Sequence, residues 1–253
     1  MIDIVILGGG NVAYHLTNAL LKNDAVHVVQ VYNRSLEKIS CFKNNTSITD
    51  NLSDLKEADI YILAVSDNAI STLSSALKFK NKLVVHISGS MAMDELKSGS
   101  KKGVFYLLQS FSKERKIDFS NVPVCIEAET EKDLHLLETL AKSMSKNCYR
   151  INSYQRKSLH VAAVFVNNFV NHLYHIGHEI CEQNKVPFEI LLPLILETAN
   201  KITTLSPLEA QTGPAKRNDT KTIEKHLAML PKTQQEIYTL LTKSIQNTYG
   251  EKL

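Results

Sequence analysis

Short apolar runs alternate with helical patterns over the first 150 or so residues. The runs Ile2-Asp3-Ile4-Val5-Ile6-Leu7, Val26-His27-Val28-Val29-Gln30-Val31-Tyr32, Ile60-Tyr61-Ile62-Leu63-Ala64-Val65 and Leu83-Val84-Val85-His86-Ile87-Ser88 suit strands buried on both faces. Weaker runs at 47–50, 106–111, 122–128 and 147–151 read as further strands. Helical patterns fill the gaps at 14–21, 36–43, 52–58, 69–77 and 131–144. In the last of these Leu134, Leu137, Leu140, Ala141 and Met144 recur at helical spacing. This alternation predicts an α/β fold, a doubly wound parallel sheet.

The pattern changes near residue 152, and no strand is expected beyond it. Residues 153–182 form one helical pattern containing a single glycine, Gly177. Pro187 opens the next helix, where a missing N–H costs little, and Pro193 predicts a kink or a later start. Residues 206–219 are a loop rich in breakers. Asp219 or Thr220 caps a helix to Leu230, and Pro231 starts a last helix running toward Gly250. The chain therefore divides into an α/β domain, 1–152, and an all-helical C-terminal domain, 153–253.

The first strand breaks directly into Gly8-Gly9-Gly10-Asn11-Val12-Ala13. Gly8, Gly10 and Ala13 fill the three places of G-x-G-x-x-A. Gly8 allows the tight turn, Gly10 lets a pyrophosphate approach the backbone, and Ala13 lets the helix pack on the strand. The helix N-terminus then faces the phosphate. At the end of the second strand stand Asn33-Arg34-Ser35. An acidic residue here would hold the ribose 2′-OH of NAD. Arg34 instead offers charge-assisted bonds to a 2′-phosphate, with Asn33 and Ser35 adding neutral ones, so NADP(H) is expected over NAD(H).

Ligands of such sheets sit at the carboxyl ends of the strands. Ala64, Val65, Ser66 and Asp67 should lie beneath the nicotinamide ribose and pyrophosphate, although Ser66 or Asp67 can equally cap the next helix. Ser88 and Gly89 can face the nicotinamide amide or the substrate. On a helical wheel of about 100° per residue, His160, Val164, Asn167, Asn171, His175 and His178 share one side. The remaining face, including Phe165, Val166, Phe169 and Leu173, should be largely buried. Hydride delivery to a carbonyl or imine needs a donor at the heteroatom. His160 is the expected acid, Asn167, Asn168 and Asn171 orient substrate, and Gln109 and Thr212 line its site. Arg217 can hold a substrate carboxylate as a bidentate pair.

The 253 residues carry a formal charge of +3 and no long Lys/Arg block, so nucleic acid is not expected as a partner. No run has the length of a membrane span and no signal peptide is visible. Cys41, Cys125, Cys148 and Cys181 form no CxxC pair. A metal site is not expected, and a reducing cytoplasmic setting fits. The apolar surface of the C-terminal helices suggests a two-fold homodimer.

With its Rossmann half and helical half, the chain resembles the 6-phosphogluconate dehydrogenase-like superfamily. The glycine turn with Asn33-Arg34-Ser35 resembles pyrroline-5-carboxylate reductase over the first third. Over the full length the chain is similar to a group of bacterial Rossmann-like NADP-dependent oxidoreductases with a C-terminal domain of unknown function. His86-Ile87-Ser88-Gly89-Ser90, Leu108-Gln109-Ser110-Phe111-Ser112, the run 160–174 with Asn167-Asn168-Phe169, and Thr212-Gly213-Pro214-Ala215 with Arg217 and Asp219 carry that match. The resemblance implies NADP binding, a helical dimerisation domain and a small-molecule substrate. The catalytic lysine of the hydroxyacid dehydrogenase branch, with asparagine four residues on, is missing: Lys157 is followed by Val161. The expected function is NADP(H)-dependent reduction of a small carbonyl or imine compound. The alternative is a non-catalytic NADP(H)-binding or redox-sensing protein.

Overall fold

A computed structural model describes residues 1–97 and 99–249. Eight strands form one sheet: β1 (Ile2–Leu7), β2 (Val26–Tyr32), β3 (Ser47–Thr49), β4 (Ile60–Leu63), β5 (Leu83–His86), β6 (Lys101–Leu107), β7 (Val124–Ala128) and β8 (Cys148–Arg150). Their spatial order is β3-β2-β1-β4-β5-β6-β7-β8. Every neighbouring pair is parallel except β6 and β7, which are antiparallel. The order reverses beside β1, because β2 and β3 lie on one side of it and β4 on the other. That reversal opens a crevice at the carboxyl edge.

Alternation along β1 explains the two layers. Ile4 and Ile6 point to one face and pack with Leu16 and Leu20 of α1 (Asn11–Leu20) and with Leu137 and Leu140 of α3 (Glu131–Met144). Val5 and Leu7 point to the other and pack with Ile70 of α2 (Asp67–Ala76). All four residues of β4 and of β5 are buried. Each fully buried Leu or Ile contributes about 1.5–3 kcal/mol, which is why an apolar run without polar alternation becomes a central strand.

Three local expectations are corrected. The strand expected at 106–111 is β6, which ends at Leu107. Lys101-Lys102-Gly103 carries no apolar signal, yet Gly103 pairs with Val85 and Ala128, and a Cβ there would stand 2.9 Å from the Glu127 carbonyl oxygen. Residues 36–43 and 52–58 form only 3-10 helices, Leu36–Phe42 and Leu52–Asp54, the second capped by the Asn51 side chain accepting from Ser53 N–H. Finally, 153–182 is not one regular helix. α4 (Ser153–Ala163), closed at its start by a capping box of Asn152 and Gln155, passes into a π-helical stretch, Val164–Phe169, and then α5 (Val170–Gln183).

The π stretch holds more than 3.6 residues per turn, so a single wheel drawn from 160 to 178 loses register there. The face expected to be buried is open: Phe165 is 62 % and Val166 74 % exposed.

Two compact units result, 1–164 and 165–253. The first contains the sheet, α1 to α3 and α4. The second contains α5, α6 (Leu192–Lys201), α7 (Pro207–Ala210), α8 (Thr220–Met229) and α9 (Lys232–Tyr249), with no strand among its described residues. Pro193 marks a later start, lying in the first turn of α6. α7 is a single turn within the 206–219 loop, with Ser206 and Glu209 forming a capping box. Asp219 caps α8 by accepting from Thr222 N–H at 3.1 Å. Gly250, toward which the last helix was expected to run, lies outside the described residues. No described helix is long and apolar enough to cross a membrane.

Candidate functional site

The crevice beside β1 is built by backbone geometry. Gly8 has φ +147°, and a Cβ there would stand 2.0 Å from the Ala64 carbonyl oxygen. Only glycine allows this approach of the β1 and β4 ends. Gly8 N–H donates to the Tyr32 carbonyl at 2.8 Å, and Ala64 N–H to the Leu7 carbonyl at 2.8 Å, so the ends of β1, β2 and β4 are laced together. Gly10 is the N-cap of α1; it faces open space on the side a Cβ would occupy, and no side chain caps the helix. The first N–H groups of α1, at the positive end of its dipole, are thus left for an anion.

A cleft of about 710 Å³ runs from here. Gly8, Gly9, Gly10, Asn11, Val12, Asn33, Arg34, Ala64, Val65, Ser66 and Gln109 all line it. Ala13 does not; it is buried behind the turn, where its small side chain suits close helix packing. Ser35 does not line it either. Its carbonyl accepts from the Asn33 side chain at 2.9 Å and from Lys38 N–H at 3.2 Å, which shapes the turn presenting Arg34. Asp67, Ser88 and Gly89 also fall outside the lining. Asp67 accepts from the Ser90 hydroxyl, and Ser66 is the α2 N-cap by position but makes no side-chain capping bond.

Lys38 also lines the cleft, with no signal in the sequence to announce it. The 3-10 helix after β2 returns it to the cleft beside Arg34. A lysine four residues past Arg34 fits no glycine-turn motif; only the short helix brings it back. Neither cation makes an ion pair among the described residues. No carboxylate lines the cleft among the described residues. Two free cations, no acid, and an uncapped helix start under open space fit a phosphorylated dinucleotide. Leu52, Thr72, Leu73 and Ala76 add an apolar wall that no motif announced. Phe111 completes it, held by Asn11 Nδ2 donating to the Phe111 carbonyl at 3.0 Å and by the His15 ring nitrogen donating to Ser112 at 2.8 Å.

Beyond Ile87, which also lines the cleft, the loop after β5 meets α4. Arg156 is fully buried. Its guanidinium donates to the Ser88 carbonyl at 3.1 Å, the Met91 carbonyl at 2.6 Å, the Ser153 hydroxyl at 3.1 Å and the Glu127 carboxylate at 2.5 Å. Glu127 also accepts from Ser153 N–H and its hydroxyl. A buried charge so fully paired is tolerated. Buried His86 accepts from Ser88 N–H on Nδ1 at 3.1 Å and donates from Nε2 to the Ala92 carbonyl at 3.2 Å. Burial, helped by the Arg156 charge, lowers its pKa to about 4. His86 is therefore a neutral brace of the loop.

This bracing sets Gly89 against His160. A Cβ on Gly89 would stand 2.6 Å from His160 Nδ1 and 2.8 Å from Tyr106 Cζ. Tyr106 Oη lies 3.2 Å from His160 Nδ1. His160, half-buried, is thus at the β5 edge, together with Ser88 and Gly89. Arg156 and Tyr106 were not foreseen. The only signal for Arg156 is its place one turn before His160 on α4.

Asn167, Asn168, Asn171, Thr212 and Arg217 belong to the second unit, and all five are exposed there.

Residues 3–89 match the family described as NADP oxidoreductase, coenzyme F420-dependent, and residues 122–245 match a domain of unknown function, DUF2520. No curated protein sequence matches the chain significantly. Among solved structures, a Bacteroides fragilis protein assigned as an NADP oxidoreductase is 38 % identical, with a TM-score of 0.89, over 97 % of this chain and 98 % of that one. A Thermotoga maritima protein is 19 % identical, with a TM-score of 0.78, over 97 % and 99 %. A reductive aminase from Aspergillus terreus, in complex with NADPH and ethyl levulinate, is 14 % identical with a TM-score of 0.72, over 99 % and 95 %; these last two likenesses concern the fold. The cleft, the matched halves and the B. fragilis relative together place the chain in the family of Rossmann-like NADP oxidoreductases with a DUF2520 C-terminal domain, and NADP(H) is its cofactor.

Proposed function

We propose that the protein is an NADPH-dependent reductase of a small carbonyl or imine compound. The observation that carries this reading is the proximity of two features within the first unit. One is the acid-free cleft with Arg34 and Lys38; the other is the His160 imidazole beside the loop that continues from the cleft-lining Ile87. In this reading Arg34 and Lys38 hold the 2′-phosphate, and the N–H groups at the start of α1 hold the pyrophosphate. Bound NADPH supplies a hydride. His160 supplies a hydrogen bond, or a proton, to the heteroatom on which charge develops, a contribution typically of 10²–10⁴-fold. Gln109, which lines the cleft, orients the substrate. The similarity in fold to a reductive aminase structure containing NADPH and a keto ester supports the substrate class.

The helical unit is proposed to form a homodimer. Leu194 and Leu196 on α6 and Leu240 on α9 are each more than 60 % exposed, with Phe165 and Val166 beside α5. Such apolar area on one small unit suits an interface between copies. Sedimentation at micromolar concentration tests it, and a monomer would refute it.

The catalytic reading is tested by following NADPH oxidation with a panel of small keto acids, aldehydes and cyclic imines. Turnover that falls at least about 10²-fold in His160→Ala supports it. Undiminished turnover in that variant removes His160 from the chemistry.

A further inference from the structure

We propose that Tyr106 is a positioning residue for His160: its hydroxyl donates to Nδ1 and so keeps the imidazole proton on Nε2, the nitrogen offered to substrate. The inference rests on the reductase reading given above.

Tyr106 lies on β6 and is 8 % exposed. Its ring meets that of His160 edge-on, with centroids 6.1 Å apart. The Tyr106 hydroxyl has one hydrogen-bond partner among the described residues, His160 Nδ1 at 3.2 Å. Burial pushes the phenol pKa up, so the group keeps its proton. A buried O–H needs an acceptor, and Nδ1 is the one at hand. A neutral imidazole that accepts on Nδ1 carries its hydrogen on Nε2. No partner for Nε2 occurs among the described residues.

The surroundings fix both rings. Arg156 ties α4, one turn before His160, to the Ser88 and Met91 carbonyls. Gly89 lies against both rings with no room for a Cβ, so its backbone limits their movement. The result is an N–H donor oriented before substrate arrives. Such a donor stabilises developing negative charge without reorganising at the moment of reaction. Tyr106 itself need not touch substrate.

The test is nitrogen NMR of the full chain labelled with ¹⁵N-histidine, at about pH 8.5, where an ordinary imidazole is neutral. Nine histidines are present, and His160→Gln identifies the resonances of interest. The expected wild-type spectrum has the proton on Nε2 and an Nδ1 resonance displaced by an accepted hydrogen bond. In Tyr106→Phe the Nδ1 resonance should move to the position of a bare nitrogen while Nε2 changes little. A wild-type proton on Nδ1 overturns the proposal, and needs no variant to fold. Identical spectra for wild type and Tyr106→Phe overturn it too. Titration with NADPH reads the cofactor cleft alone, so the reductase reading and this proposal can fail separately.

Discussion

Arg156 Nε donates to the Ser88 carbonyl at 3.1 Å, so a fully buried guanidinium on α4 fixes the backbone at the end of β5. The same group pairs with Glu127, whose side chain is 16 % exposed. Breaking a buried pair leaves an uncompensated charge and costs about 3–5 kcal/mol. Arg156→Met should therefore lower the unfolding free energy by that amount in urea titrations. Adding Glu127→Met should recover much of the loss, because no charge is then left alone. A single variant as stable as wild type would show that the pair holds nothing.

His86 makes stability depend on pH. Its folded pKa of about 4 lies below the ordinary value of 6.5, chiefly through burial and then through the Arg156 charge. The unfolded chain therefore binds the proton more readily, and acid favours unfolding. The stabilisation is complete above about pH 6.5 and is lost as pH falls toward 4, by roughly 3 kcal/mol in all. His86→Asn should flatten the stability profile in that window, whatever it costs at neutral pH. An unchanged slope would remove His86 as the cause.

Gly89→Ala should separate chemistry from cofactor binding. The new Cβ would stand 2.6 Å from His160 Nδ1 and 2.8 Å from Tyr106 Cζ, so the ring pair must move. Displacements near 1 Å at a reacting group cost about 10²-fold, so turnover with any substrate found for the wild type should fall by that order. Gly89 does not line the cleft, so the NADPH dissociation constant should stay within about twofold. Equal loss of both would mean that the loop serves the cleft instead.

The fold was legible where the physics is local or strongly periodic. Apolar runs such as Ile60-Tyr61-Ile62-Leu63 have few alternatives to a central strand, and the glycine turn announced the crevice. β6 was misplaced because Lys101-Lys102-Gly103 carries no apolar signal; its pairing is set by neighbours on both sides. The wheel through 160–178 failed because a π stretch inserts a phase change that no residue there advertises. Within the site, Arg34 was readable from its place after β2. Lys38 was not, because a 3-10 helix had to bring it back. Arg156 was invisible because a buried arginine is defined by partners at residues 88, 91 and 127, far away in sequence.

The central claim is that Arg34 and Lys38, in a cleft free of acid, select the 2′-phosphate. Calorimetric titration of the wild type with NADPH and with NADH tests it most directly. Two charge-assisted contacts should make NADPH at least about tenfold the tighter ligand. The double variant Arg34→Ala/Lys38→Ala should lose that preference while binding NADH as before. Equal affinities in the wild type, or a preference that survives in the double variant, would contradict the account.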